Sequence, residues 1–212
     1  MAALLAVPTF TTTWAAVLAM WLMPAAWLLS TDVGRQALVD ERVRIVEAFG
    51  GSIDDEAYAR LQASPPWGVY LTTGGRYLVA PPVTALAALA LVWLARLDGV
   101  TLGLAAAMAV SVHASVVLAV QQLVVVPVQY LRESITSATS LAVLLPVLGD
   151  DTVMARVLGA TDVFGLWWIW LLGLGVAAAT GRPAVRYVWR LLAVYLGLAV
   201  ITAVVLFVAG GS

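Results

Sequence analysis

The stretch Val163–Thr180 reads VFGLWWIWLLGLGVAAAT, preceded by Asp162 and followed by the turn Gly181-Arg182-Pro183-Ala184. It holds no charge, and the next run, Tyr187 to Ala209, holds only Arg190. A helix needs about 20 apolar residues to cross a hydrocarbon core of roughly 30 Å, so both runs read as membrane-spanning helices joined by a short basic turn. They are spans four and five, over 163–180 and 187–209.

Working outward, the remaining spans lie where charge is missing. Met1 to Thr31 is uncharged and supplies span one over 10–30, with Pro8 before it and Pro24 near its end. Its start lacks the Lys or Arg of a secretory n-region, which argues against a cleaved signal peptide. Span two covers 77–95, between Arg76 and Arg96. The uncharged run from Gly99 to Leu131 is too long for one upright span and too short for two, so span three is placed at 102–126. Pro127 is expected to end it, because proline removes a helix hydrogen bond. The segment 134–149 is apolar but short, rich in Ser and Thr and broken by Pro146, and reads as an interfacial or re-entrant helix. The expected fold is therefore all-α: one polytopic membrane domain over 1–212, a five-helix bundle with a polar helical insertion over 32–76.

Composition agrees. Of 212 residues 63% are hydrophobic and 11% charged, and the mean hydropathy is +0.99, far from a soluble domain. A net charge of −1 gives no field for nucleic acid. There is no Cys and a single His, which excludes disulfides, thiol nucleophiles and ordinary zinc sites. H-E-x-x-H, G-x-S-x-G and Walker A motifs are all missing, so the chain is read as a non-enzyme with no cofactor and no metal.

In the insertion, Val39, Val43, Val46 and Phe49 recur at helical spacing. Thr31 or Asp32 can cap the start, Asp40 and Arg44 stand at i,i+4, and Gly50-Gly51 can close the end. A second helix follows around Ile53, Ala57 and Leu61, with Ser52 or Asp54 as cap, a Glu56–Arg60 pair and Pro65-Pro66 as stop. The pair is either a docking platform or a hairpin folded over the ends of the chain's own spans; its mixed charge favours the hairpin.

Polar residues inside spans are costly and serve as site candidates. His113 lies near the middle of span three, and Gln121 shares roughly its face eight residues on. Either can line a polar path, though a bond to a neighbouring helix is the commoner use. Asp162 can cap span four at interface depth, or meet His113 or Arg190. Trp167, Trp168 and Trp170 suit an aromatic belt or packing. Gly173, Gly175 and Ala179 on span four, with Ala193 and Gly197 on span five, let those two helices pack closely.

The series Asp162, Phe164, Trp167, then Gly173 and Gly175, the basic turn at Gly181-Arg182-Pro183-Ala184 and the closing span resemble the Yip domain family, multi-span proteins that interact with Ypt/Rab GTPases. Pro8-Thr9-Phe10, Trp21, Pro24 and the polar helical segment are similar to prokaryotic members. The resemblance implies a cytosolic N-terminus, which would place Gly181 to Arg190 in the cytoplasm where charge counting leaves orientation nearly even. It also implies a multi-pass protein of a bacterial or archaeal cell (inner) membrane whose partners are lipids, a second copy or another membrane protein. Rab binding does not transfer, since fewer than ten residues precede the first span. The alternative is a lipid or small-molecule transporter using His113, Gln121 and Asp162.

Overall fold

A computed structural model describes residues 7–63, 67, 80–136, 138–144 and 152–210. The described chain is helical: α1 (Val7–Ser30), α2 (Asp32–Ala48), α3 (Asp55–Ala63), α4 (Ala80–Leu97), α5 (Leu104–Ala114), α6 (Val116–Leu131), α7 (Leu141–Leu144), α8 (Val153–Ala160), α9 (Val163–Thr180) and α10 (Ala184–Gly210). The one β-type pairing among these residues is an isolated bridge between Ser140 and Asp162.

Among the described residues four stretches are long and apolar enough to cross a membrane: Thr12–Ser30, Leu104–Leu131, Val163–Thr180 and Ala184–Val205. A fifth apolar helix, Pro82–Leu97 within α4, lies beside them. The protein is thus an all-α, polytopic membrane bundle. Span four is found over the expected residues, span five starts three residues early, and span two runs to Leu97.

Span three differs most. Pro127 does not end it: α6 continues to Leu131 with Pro127 inside, since the lost N–H leaves one carbonyl unpaired in an otherwise continuous ladder. The interruption falls at Ser115, where α5 passes into α6. Ser115 Oγ donates to Ser111 O at 2.8 Å, a back-bond that bends helices, while the i→i−4 bonds from Ser115 N and Ala119 N persist across the break.

The α5–α6 rod is the axis of the bundle, 61% of its apolar window being buried against 17–28% for the other three candidates. Helix α4 runs antiparallel to it, Thr84 Oγ1 lying 3.2 Å from Ser115 Oγ. Helix α1 runs parallel to α6, their ends marked by Trp27 and Tyr130 with ring centroids 5.3 Å apart. Helices α9 and α10 form an antiparallel pair against the remaining face, and Leu91, Ala95, Ala107, Leu172, Val176 and Tyr187 fill the centre.

Two ends result. The Asp98 end carries the turns after α4 and α9; the Thr31 end carries α2, α3, α7 and α8. Exposed aromatics mark both levels: Trp93 and Trp189 near the Asp98 end, Trp27 and Tyr130 near the other. Trp167 and Trp170 are half exposed on α9, and Trp168 packs against the core cluster.

The insertion is a hairpin closed over the Thr31 end. Thr31 caps α2, its Oγ1 accepting from Gly34 N at 3.0 Å. A Cβ on Gly34 would strike the carbonyl of Leu28, which is why so sharp a turn out of α1 needs glycine here. Leu28, Ala37, Leu38, Val126 and Ile135 form a buried cluster against which Leu61 of α3 packs. The apolar face of α2 is thus led by Ala37, Leu38 and Val39, whereas Phe49 is exposed. Asp54 caps α3 through Ala57 N at 2.7 Å, and Arg60 pairs with Glu56. Arg44 pairs with Glu41 at 2.5 Å and not with Asp40, because Gln36 and Tyr58 already occupy that carboxylate. Residues 64–66 and 68–76 of the insertion, and 145–149 of the apolar segment, lie outside the described residues.

Candidate functional site: a polar seam at Asp162

Beyond Leu131 the chain turns at Arg132 and Glu133 and doubles back beside α6. Gln129 Nε2, in a residue 5% exposed, donates to Ile135 O at 2.9 Å and Thr136 O at 3.2 Å. Gln121 Nε2 donates to Thr139 Oγ1 at 3.3 Å. Gln121 and Gln129 are separated by about 12 Å of helix, so Ile135 and Thr139 lie about that far apart along α6. Irregular backbone packed against a spanning helix survives only if its polar groups are satisfied within the protein. The glutamines meet that need from α6, and Leu141 N and Val163 N do so by donating to Thr161 O at 2.8 Å and Thr139 O at 3.3 Å.

Asp162 closes the seam. Oδ1 accepts from Phe164 N at 2.8 Å and Gly165 N at 3.3 Å, capping α9 and facing the positive end of its dipole. Oδ2 accepts from Thr139 Oγ1 at 2.5 Å. The backbone N–H of Asp162 donates to Tyr195 Oη of α10 at 3.0 Å. The Tyr195 hydroxyl reaches this point because residue 165 is glycine: a Cβ there would lie 2.7 Å from Oη. Four segments, α6, the returning chain, the start of α9 and the middle of α10, are therefore tied together around Asp162.

The cap expected of Asp162 is present, at the start of a helix long and apolar enough to cross a membrane. Through Thr139 it stands at the level of Gln121, ten residues and roughly 15 Å short of the end of α6, and α10 continues well past Tyr195 to Gly210. Neither His113 nor Arg190 is its partner. Nδ1 of His113 lies 2.7 Å from Ala109 O, so the imidazole donates to its own helix and not to a neighbour. Arg190 turns to the opposite end, where Nη1 bonds both oxygens of Asp98 at 3.0 Å. Gln121 joins the seam, and Phe164 and Trp167 pair their rings at 6.3 Å in the first turns of α9.

The glycines divide differently from expectation. Gly173 does hold α9 against α10, a Cβ there lying 3.0 Å from Val188 N. Gly175 faces Val110 of α5 instead, 3.2 Å from its Cγ2. On α10, Gly197 meets nothing within 4 Å, so the Ala193–Gly197 face makes no contact with α9 at that glycine. The close pairing of spans four and five rests on Gly165 and Gly173.

Sequence reasoning passed over Thr139, Gln129, Gly165 and Tyr195. The Ser/Thr-rich composition of 134–140 pointed to the first; Tyr195 carried no signal, since an aromatic residue in an apolar span reads as packing.

Outside the spans, α2 and α3 share a second polar cluster. Gln62 Nε2 donates to Gln36 Oε1 at 2.8 Å, Gln36 Nε2 to Tyr58 Oη at 2.7 Å, and Tyr58 Oη to Asp40 Oδ1 at 2.7 Å. That last bond, with burial and the charge of Asp40, holds the Tyr58 phenol above its ordinary range against an opposing contribution from Gln36. Beside this chain opens a cleft of about 520 Å³ lined by Asp32, Arg35, Gln36, Ala59, Gln62 and Ala63. Among the described residues no three His, Asp or Glu side chains converge to hold a metal ion.

No family model, curated protein or solved structure matches the chain, so the likeness to the Yip domain family rests on the sequence motif from Asp162 to Gly175 and the early segment from Pro8 to Pro24.

Proposed function

We propose that this chain is a non-enzymatic membrane protein of the Yip type that organises surrounding lipids or membrane partners through its helix faces. The observation that carries the reading is the occupancy of Asp162: both carboxylate oxygens are already engaged, by two backbone N–H groups and a hydroxyl of the same chain. A carboxylate so held fastens the returning segment and is not poised to pick up and release a cargo. His113 is likewise committed to its own helix. Outward, by contrast, α10 presents a run of exposed apolar side chains, Val194, Leu198, Ile201 and Val205 among them, suited to lipid tails or another helix.

Native mass spectrometry of the purified protein in mild detergent tests this. The expected result is retained lipid or a second chain; a bare monomer overturns the reading.

A second reading, translocation of a lipid or small solute, is favoured by the polar chain Gln121–Thr139–Asp162 beside a spanning helix, since ionisable groups within membrane bundles commonly mark transport paths. Flux into liposomes separates the two. Transport requires Asp162→Asn or His113→Ala to change the rate, whereas the organising role predicts no flux above that of empty vesicles.

A further inference from the structure

The Asp98 end is electrically unlike the rest of the molecule. Its turns and helix ends carry Arg96, Arg182, Arg186 and Arg190 against one carboxylate, Asp98, a net of +3, while among the described residues the α2–α3 hairpin and the turn after α6 set five Arg against eight carboxylates, a net of −3.

Asp98 is the organiser of this patch. Its side chain is 5% exposed, and it accepts from Arg190 Nη1 at 3.0 Å and from Arg186 Nη1 at 3.4 Å. Two guanidinium groups thus converge on one negative charge and leave one positive charge uncompensated at the contact. The bonds to Asp98 use one terminal nitrogen of each group, and a guanidinium has five N–H donors. The arginine side chains remain 50% and 37% exposed, so the outer edges of both forks face outward. Arg182 stands four residues before Arg186, exposed, on the turn that leads into α10.

The depth of the cluster selects its ligand. Arg186 and Arg190 lie in the first two turns of α10, flanking Trp189, and Trp93 precedes Asp98 on α4; both indoles are exposed at the level of the belt. Fixed guanidinium forks at headgroup level beside exposed indoles are a receptor for a phosphodiester whose acyl chains lie along the adjacent apolar helices.

We propose that Arg186 and Arg190, oriented by Asp98 and supplemented by Arg182, bind the headgroup of an anionic phospholipid at the Asp98 end. The site rests on the reading of the chain as an organiser of surrounding lipid and names the lipid class and the residues that choose it.

The test is titration of the full chain in mild detergent with short-chain phosphatidylglycerol, short-chain phosphatidylcholine or glycerol phosphate, followed by native mass spectrometry. Phosphatidylglycerol is expected to bind about tenfold more tightly than phosphatidylcholine. Each arginine near an anionic headgroup contributes about fivefold, so Arg182→Gln with Arg186→Gln should weaken phosphatidylglycerol binding roughly thirtyfold, while Arg60→Gln at the opposite end leaves it unchanged. Should the double variant fail to fold, Arg182→Gln alone, beyond the start of α10, is expected to show the fivefold loss. Equal binding of the two lipids, or undiminished preference in the variants, overturns the site and leaves the organising role standing. Glycerol phosphate competing as well as the lipid shows a free-phosphate site and overturns the lipid assignment. A bare monomer that retains neither lipid overturns both.

Discussion

Replacing Gly165 with alanine tests the seam at its tightest contact. The new Cβ would stand 2.7 Å from Tyr195 Oη, 3.3 Å from Cζ and 3.6 Å from Cε2. Either the ring swings away, and the N–H of Asp162 loses its acceptor, or α9 and α10 move apart. An unpaired buried N–H costs about 1–3 kcal/mol, and overpacking a close helix contact costs about the same. Alanine recovers up to about 1 kcal/mol of helix propensity relative to glycine, leaving a net loss of roughly 1–2 kcal/mol. Tyr195→Phe alone removes the same acceptor and is expected to cost about 1–2 kcal/mol. In the double variant the 2.7 Å clash is gone, the nearest remaining atom is Cζ at 3.3 Å, and the hydrogen bond is lost once rather than twice. The two losses should therefore fail to add, with a coupling of about 1–2 kcal/mol. The assay is reversible unfolding in mixed detergent and dodecyl sulfate micelles, followed by tryptophan fluorescence, for the four members of the cycle. Additivity within about 0.5 kcal/mol, or a neutral Gly165→Ala, would refute the account of why a glycine opens α9.

Asp162→Ala removes a cap and the bond from Thr139 together and should cost about 2–3 kcal/mol, whereas Asp162→Asn, which keeps an acceptor for Phe164 N, should cost less than half as much; the same unfolding assay ranks them. Gly173→Ala should destabilise by about 1–3 kcal/mol because Val188 backbone atoms at 3.0 and 3.1 Å cannot yield, while Gly197→Ala, with nothing within 4 Å, should be neutral or slightly stabilising. For Asp98, burial pushes toward the neutral acid, but the hydrogen bond and charge of Arg190, a hydrogen bond from Tyr187 and the charge of Arg186 outweigh it and hold the carboxyl below the ordinary carboxylate range. A depressed folded-state value means stability that is present above the ordinary value of about 4 and lost as pH falls through the lowered one. The melting temperature of the protein should thus exceed that of Asp98→Asn at pH 7, the gap closing only in strongly acidic buffer; a gap that persists there contradicts the ion-pair account.

Much of the bundle was legible because charge and span length are one-dimensional signals. Asp162, Gly181 and Pro183 bound α9 by cap, left-handed turn and breaker, and each acts locally; Gly181 adopts φ +68. Pro127 misled because a proline inside a well-packed apolar rod costs one hydrogen bond, which the surrounding helices α1 and α9 outweigh. The candidate site was half legible for a related reason. Asp162 and Gln121 stand out as polar groups in apolar surroundings, but their meeting through Thr139 depends on a chain reversal encoded by two glutamine side chains on a different helix. The Ala193–Gly197 spacing shows the converse: a small-xxx-small pattern states that a helix can approach, and the approach at α9 is decided by Gly165 and Gly173.

The seam also constrains how the protein is made. Thr139 binds Asp162, and Asp162 in turn binds Tyr195, 33 residues further along the chain. During synthesis the chain enters the bilayer from its N-terminal side, so the segment after α6 is delivered before the hydroxyl that completes its bonding exists. The bond from the Asp162 N–H therefore waits until α10 has been made. Completion of the seam is accordingly a late step, and in a chain truncated before Tyr195 the Asp162 amide hydrogen should exchange with water faster than in the full chain.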